Sequence, residues 1–286
     1  MELNSNVPLA PPRDAATVVM LRDGALGLEV FLVKRHGLSD VLGGAYVFPG
    51  GKLDAADLLL GAHLDQSAED LHSALGEPGT PPDTALGLYV AALREAFEES
   101  GILFANDARI ALNALSRDAP QPFNNWIAER ALALQTRRLI PWTRWITPRM
   151  PSVTSKRFDT RFFVAEVPAD QVARHDDFET TASAWLQPKR ALEQYWDRHI
   201  ELAPPQIMSL AHLSRHSNVH SVLQEARQRP PPVILPESFD EAGERLICYP
   251  GDPRHSSAAR AMPGPTRVYF RNRRFEPAEG FEALFV

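Results

Sequence analysis

The segment from Thr80 to Gly101 constrains this chain more than any other, because it writes a helix whose apolar and charged residues have incompatible needs. Thr80 as N-cap, Pro81 at the first helical position and Asp83 three residues after the cap mark its start. Gly101 supplies a left-handed stop about five turns later. Val90, Leu93 and Phe97 recur at three- and four-residue spacing and predict a buried stripe. Glu95, Glu98 and Glu99 then fall together beside that stripe, since residues three and four apart share a helix face. Like charges so placed repel by about 0.2–0.5 kcal/mol per pair, and helix propensity gives no reason to cluster them. A divalent cation removes that cost, and the hard ions Mg²⁺ and Mn²⁺ take carboxylate, carbonyl and water oxygens. Arg94, four residues before Glu98, is within reach of a salt bridge that orients the cluster. The competing reading is a solvated acidic helix face. What surrounds the helix decides between the two.

Apolar and β-branched runs predict strands at 17–21, 28–34, 45–48, 142–145 and 158–166. Phe48-Pro49-Gly50-Gly51 reads as a strand end followed by a tight turn whose backbone can approach a ligand closely. Between this turn and the acidic helix, residues 65–75 read as a further helix. Ser67 and Asp70 stand there in capping-box spacing, and a Gly/Pro-rich return follows.

Taken together, these residues resemble the Nudix hydrolases, whose pattern is G-x5-E-x7-R-E-U-x-E-E-x-G-U with U a bulky apolar residue. Arg94-Glu95-Ala96-Phe97-Glu98-Glu99-Ser100-Gly101-Ile102 matches its second half, apart from small Ala96, and Gly51 matches its start. The expected glutamate of the first half falls on Asp57. From there 36 residues, in place of seven, lead to Arg94, an insertion of 29. A box split in this way is similar to the long-insert subgroup that includes the mammalian peroxisomal coenzyme A diphosphatases. The resemblance extends more loosely through Arg157-Phe158-Asp159-Thr160-Arg161-Phe162-Phe163 and Ala184-Trp185-Leu186, covering roughly residues 12–215.

The resemblance implies an α/β Nudix fold, an α/β/α sandwich around a mixed β-sheet, with a C-terminal extension. It implies Mg²⁺ or Mn²⁺ as cofactor, with Glu98 and Glu99 as ligands and the Gly51 carbonyl completing the shell. Glu95 matches a position that binds metal or acts as general base in different members, and Arg94 the one that orients the glutamates. No role is carried over to Asp57. A further acidic residue often comes from a loop after the helix, and within His175-Asp176-Asp177-Phe178-Glu179 we select Glu179. The mechanism implied is attack of water on a phosphorus of a diphosphate bridge.

Basic side chains are needed for phosphate, and arginine forks match phosphate oxygens. Lys34-Arg35, Arg157 and Arg161 lie on or beside predicted strands, and Arg35 and Arg161 are the two chosen as substrate-binding candidates.

Three functions follow from the resemblance. The first is hydrolysis of coenzyme A or acyl-coenzyme A to 3′,5′-ADP and a phosphopantetheine product. The second is hydrolysis of ADP-ribose, a dinucleotide or another nucleoside-diphosphate-linked substrate. The third is a binding or regulatory module that has lost catalysis, which three retained, mutually repelling glutamates disfavour. Residues 38–46 lack the His and Gln of the L-x-x-H-x-G-Q element found in many coenzyme A hydrolases of this superfamily, which weighs against the first.

Composition sets outer bounds. With 286 residues, 44% hydrophobic and 23% charged, the chain is long enough for one large domain and an appendage. A net charge of −6 argues against general nucleic-acid binding, and the resemblance implies a small nucleoside-diphosphate-linked molecule as partner. A single cysteine, Cys248, excludes an internal disulfide framework and suits a reducing compartment. No run approaches a membrane span, no basic-plus-apolar leader opens the chain, and Leu284-Phe285-Val286 is not the Ser-Lys-Leu peroxisomal address. A cytoplasmic location is the expectation.

We divide the chain into an extended arm at 1–12, a Nudix domain at 13–188 with the insertion at 58–82, and an extension at 189–286 that supports a homodimer or flanks the substrate groove. The insertion is read as a lid over the site, a determinant of substrate choice, or a passive surface excursion. In the extension, helices are predicted from Pro188 onward and at 205–214 and 219–227. Short strands are predicted at 233–235, 244–249 and 266–270, with a turn at Asn272-Arg273. His212, His216 and His220 recur every four residues but lack an H-E-x-x-H pair, and Asn218 interrupts the helix, so they are not taken as metal ligands.

Overall fold

The computed structural model describes residues 11–37, 42–107, 122–150, 156–176, 179–241 and 243–286. Most of the predicted arm at 1–12, residues 38–41 of the coenzyme A element, and Asp177 and Phe178 lie outside these.

Strands β1 (Arg13–Gly24), β2 (Gly27–Arg35), β3 (Tyr46–Val47), β4 (Gly50–Lys52), β5 (Ile140–Ile146), β6 (Phe158–Glu166), β7 (Thr180–Leu186) and β8 (Val233–Ile234) form one eight-stranded sheet. Its order is β3-β2-β1-β6-β5-β8, with β4 on β1 and β7 on β2. Pairing is parallel between β1 and β6 and between β5 and β8, and antiparallel elsewhere.

Alternation along β1 divides the core into two layers, because successive side chains point to opposite faces. Ala16, Val18 and Met20 join Phe31, Val33 and Phe163 beneath helices α1 (Ala68–Leu75), α2 (Pro82–Ser100) and α3 (Phe123–Glu129). Val19 and Leu21 join Val30, Leu32, Phe162 and Val164 under α4 (Pro188–Trp196), α5 (Pro204–Leu213) and α6 (Val219–Gln228). A sheet covered on both faces needs apolar residues at every position, hence the unbroken buried run in β1 from Ala15 to Leu21.

This is the expected α/β/α sandwich, but the boundary drawn at 188 is not a structural break. Helices α4–α6 are its second layer, and β8 extends the main sheet. What remains, β9 (Glu237–Glu241), β10 (Glu244–Cys248), β11 (Arg267–Arg271) and β12 (Arg274–Glu276), is a four-stranded antiparallel sheet packed on the same core through Ile247, Tyr249, Val268 and Phe275. Asn272 and Arg273 make the predicted turn, both with positive φ (51° and 61°), as a two-residue hairpin loop demands. Among the described residues no helix is long and apolar enough to cross a membrane.

The acidic helix begins one residue later than predicted. Pro81 is the N-cap, and the Thr80 hydroxyl donates to Glu77 Oε2 (2.8 Å). Gly101 closes the helix in the left-handed region (φ 72°), its N–H donating to the Phe97 carbonyl. The expected narrow stripe is instead a helix buried almost all round from Ala85 to Phe97, because α1, a 3₁₀ turn at Ala55–Leu59 and α3 cover its outer side.

The insertion is therefore not a passive excursion. Leu71 and Leu75 of α1 are fully buried in the core, and Ser67 and Asp70 form the capping box the sequence predicts. Beyond α1, Glu77 accepts from Arg161 Nη2 (2.8 Å) and Arg144 Nη1 (2.9 Å), tying the return segment to β5 and β6.

Candidate active site

Three chain segments build the site: the C-terminal half of α2, the β3–β4 corner and the start of the insertion. The turn expected at Gly50-Gly51 is in fact β4, paired with Ala15–Thr17 of β1, so the glycines are held in sheet register against the acidic helix. The Gly50 N–H donates to Glu99 Oε2 (3.1 Å). Gly51 faces Glu95 so closely that a Cβ there would stand 2.2 Å from Glu95 Oε1, which only glycine avoids.

Arg94 organises the carboxylates. Its Nη1 donates to Glu95 Oε1 (2.7 Å) and Glu98 Oε2 (3.0 Å), the predicted i,i+4 pair. Its Nε and Nη2 grip Asp57 Oδ1 and Oδ2 (2.9 and 3.0 Å), and Nη2 also reaches the Lys52 carbonyl (3.1 Å). Asp57 is completely buried in the 3₁₀ turn, and its Oδ2 also accepts the Asp54 N–H (2.9 Å). The position to which the sequence assigned no role thus fixes the guanidinium that fixes the glutamates.

Glu99 and Glu95 are buried, while Glu98 is half exposed. Burial raises the Glu99 carboxyl to about 8, with repulsion from Glu95 adding to it, and burial raises Glu95 to about 7 against the pull of Arg94. Burial also raises Glu98. Glu99 Oε1 is buried with no hydrogen-bond partner among the described residues, Arg35 Nη1 being 3.8 Å away. An orphaned carboxylate oxygen, two further carboxylates that repel it and a glycine backbone pressed against the cluster are the donor set of a hard divalent cation. The residues present fit the implied metal.

The sequence candidates divide. Gly51, Arg94, Glu95, Glu98 and Glu99 come together with Arg35, whose Nε is also buried without a hydrogen-bond partner. Glu179 lies close enough to raise the proton affinity of Glu95, Glu98 and Glu99, on a turn where Asp176 Oδ2 accepts its N–H (3.0 Å). The structure does not bring Arg161 into the cluster: its guanidinium is buried against Glu77, Asp14 and Asp159, where it braces the sheet, and it lines no part of the cleft. Arg157 likewise donates to the Thr147 carbonyl.

The cluster opens into a cleft of about 1870 Å³. On one side Phe97 stacks on Trp126 (5.0 Å between centroids) and meets Phe123 (5.7 Å), with Leu59 of the insertion beside them. On the other the cleft crosses the sheet past Phe48, Phe162 and Trp145 to Pro204 and Pro236. Arg13, Lys156 and Arg174 add positive charge to its lining. The sequence reading missed these three and α3. A seven-residue helix offers too little periodicity to detect, and isolated basic residues carry no spacing signal.

Comparison with known proteins places the chain among Nudix domains. The NUDT19 Nudix domain family matches residues 63–213, a span that contains the acidic helix but begins after Gly51 and Asp57. The chain is 26% identical to the acyl-coenzyme A diphosphatase NUDT19 of Xenopus laevis over 234 residues, covering 68% of this chain and 62% of that protein. It is 28% identical to the Homo sapiens protein of the same name over 261 residues, covering 74% and 69%. The match thus spans less than two thirds of the length of the Xenopus relative. A crystal structure of a Nudix hydrolase from Alicyclobacillus acidocaldarius superposes with a TM-score of 0.59 at 25% identity, covering 76% of this chain and 97% of that one.

Proposed function

The chain belongs to the Nudix family, in its NUDT19 domain group, and on that premise we propose that it is a divalent-metal-dependent hydrolase of diphosphate linkages, with coenzyme A or acyl-coenzyme A as substrate. Nudix hydrolases generally use divalent metals, and Mg²⁺ or Mn²⁺ suits this all-oxygen donor set. The observation that carries the proposal is the buried, unpartnered Glu99 oxygen beside Glu95 and Gly51, at the mouth of a cleft with charged and apolar sides.

Glu98, Glu99 and Glu95, with the Gly51 carbonyl, hold the metal. When bound it neutralises phosphate charge and makes water a better nucleophile. Glu95, whose Oε1 is fixed by Arg94 Nη1, is also the carboxylate placed to accept the proton of the attacking water. The new P–O bond forms as the bridging P–O bond breaks, and the departing phosphate leaves as an anion. Arg35 stands where it can pair with phosphate oxygens, and Glu179 supplies a further carboxylate facing the cluster. Phe97, Phe123 and Trp126, largely buried, present an apolar wall to the cleft against which an acyl or pantetheine arm rests.

The test is a panel of coenzyme A, acyl-coenzyme A, ADP-ribose, NADH and nucleotide sugars, incubated with Mg²⁺ or Mn²⁺ and resolved by mass spectrometry. The proposal expects 3′,5′-ADP and (acyl-)phosphopantetheine, lost in Glu98→Gln and Glu99→Gln. Turnover of ADP-ribose or a dinucleotide alone reassigns the substrate. No turnover, or full rates in both variants, removes the hydrolase.

A further inference from the structure

On the face of the sheet opposite the acidic helix, His212, His216 and Glu225 converge, and every ligand atom of the three lies within 4.8 Å of the others. His212 sits on α5, packed at a tilt against Trp142 (5.1 Å between ring centroids), and His216 in the turn that follows. Glu225 comes from α6. The third histidine of the sequence pattern, His220, is exposed and takes no part. No H-E-x-x-H spacing marks such a site, because its carboxylate is delivered by the next helix.

We propose that these three side chains form a second metal site, separate from the acidic cluster, for a transition-row cation such as Zn²⁺. Two imidazole nitrogens and one carboxylate oxygen are a donor set that zinc takes readily, and that Mg²⁺ does not favour. The geometry is prepared for it. His212 Nε2 and His216 Nε2 stand 3.0 and 2.7 Å from the same oxygen, Glu225 Oε2. Arg229 Nε donates to Oε1 (2.8 Å), which His212 Nε2 also approaches (3.0 Å), so the arginine fixes the carboxylate while Oε2 is the oxygen shared by both imidazoles. His216 Nδ1 is engaged by Ser221 Oγ (2.7 Å), the outer contact that orients a ligating ring. Both rings are almost wholly buried. Donor atoms around tetrahedral zinc stand roughly 3.3 Å apart, so a cation enters as Glu225 Oε2 draws back by a few tenths of an ångström from each imidazole.

A cation here does no chemistry on substrate. It joins α5 to α6 across the turn between them, and so fastens the layer that carries Pro204 and Gln206 at the cleft edge.

The test uses the full-length, tag-free protein carrying Glu98→Gln and Glu99→Gln, so that the hydrolytic cluster does not compete for metal. Zn²⁺ affinity and stoichiometry are measured by competition with a chromophoric chelator, and Co²⁺ is added separately to read its visible absorption. The expected result is a single equivalent of Zn²⁺, an intense low-coordinate Co²⁺ spectrum, and loss of both in Glu225→Gln and His216→Ala, while His220→Ala binds as before. Ser221→Ala is expected to weaken zinc about 10- to 100-fold. Should a ligand variant fail to fold, imidazole ¹⁵N shifts of the parent protein decide: Zn²⁺ must move Nε2 of His212 and His216. A featureless Co²⁺ spectrum with unmoved Nε2 shifts, or zinc binding equal in Glu225→Gln and parent, overturns the site and leaves the cluster a hydrogen-bonded brace.

Discussion

Arg94 and Asp57 meet through two parallel hydrogen bonds, Nε to Oδ1 at 2.9 Å and Nη2 to Oδ2 at 3.0 Å, although they lie 37 positions apart in sequence. The fork is almost wholly enclosed, with Asp57 fully buried. Asp57→Ala leaves the guanidinium free to collapse on Glu95 and Glu98, and strands it without its buried partner. A loss of about 2–4 kcal/mol is expected in chemical denaturation, together with a fall in kcat larger than any change in KM. Unchanged stability in this variant counts against the pairing.

Gly51→Ala tests the close approach of β4 to the acidic helix. The added methyl collides with Glu95 Oε1, and displacing a reacting group by about 1 Å can cost about 10²-fold in rate. Activity should fall by that order while far-UV circular dichroism stays unchanged. A wild-type rate in a folded protein means that Glu95 moves away without consequence.

The raised carboxylates predict a distinctive pH response of the metal-free protein. Glu95 at about 7 and Glu99 at about 8 both stand above the ordinary 4.5 of an unfolded glutamate. Between these values the folded state holds protons that the unfolded state has released, so stability drops as pH rises. His212, lowered by burial, is neutral in both states above about 6.5 and leaves that upper range clear. The melting midpoint should therefore fall from about pH 6.5 to about pH 8.5, less steeply in Glu99→Gln. Added Mg²⁺, which needs ionised carboxylates, should restore more stability at the upper pH. A midpoint that climbs through this window in the metal-free protein is incompatible with the buried pair.

Phe123→Ala and Trp126→Ala separate the acyl arm from the nucleotide. Both residues pack on Phe97 at the cleft wall. Removing a large apolar contact costs about 1–3 kcal/mol for the group that used it, so kcat/KM for a long acyl-coenzyme A should drop about tenfold or more relative to free coenzyme A. Equal losses on both substrates place the acyl chain elsewhere.

Glu77→Gln removes the anchor between the insertion and the sheet. Arg161 is left buried with less compensation, and a destabilisation of about 3 kcal/mol is expected, with substrate KM close to wild type in the folded fraction. A selective rise in KM at unchanged stability instead puts Arg161 back among the phosphate-binding residues.

Much of this was legible where local chemistry and tertiary environment agree. Ser67 and Asp70 announced α1, Gly101 ended α2 and the 158–166 run gave β6 its observed limits. Legibility failed where a partner distant in sequence decides the outcome. Gly50 and Gly51 have the composition of a turn, yet β1 recruits them as a strand. Arg161 has the spacing of a strand-end phosphate ligand, yet Glu77 and Asp14 neutralise it from elements far along the chain. Residues 189–234 read as an appendage because helices without a visible partner look peripheral, whereas the far face of the sheet needed them.

The contact between Asp57 and Arg94 also bears on how such a chain can change over time. The first and second halves of the glutamate motif are bound side chain to side chain, so their spacing does not depend on the number of residues between them. Closing a longer loop costs only a logarithmic increment, about 0.6 kcal/mol for each doubling. Outside α1, the Glu77 anchor and the first turns of α2, the intervening stretch is thereby released to lengthen, shorten or acquire a new cleft-facing residue, while the hydrolytic centre keeps its shape.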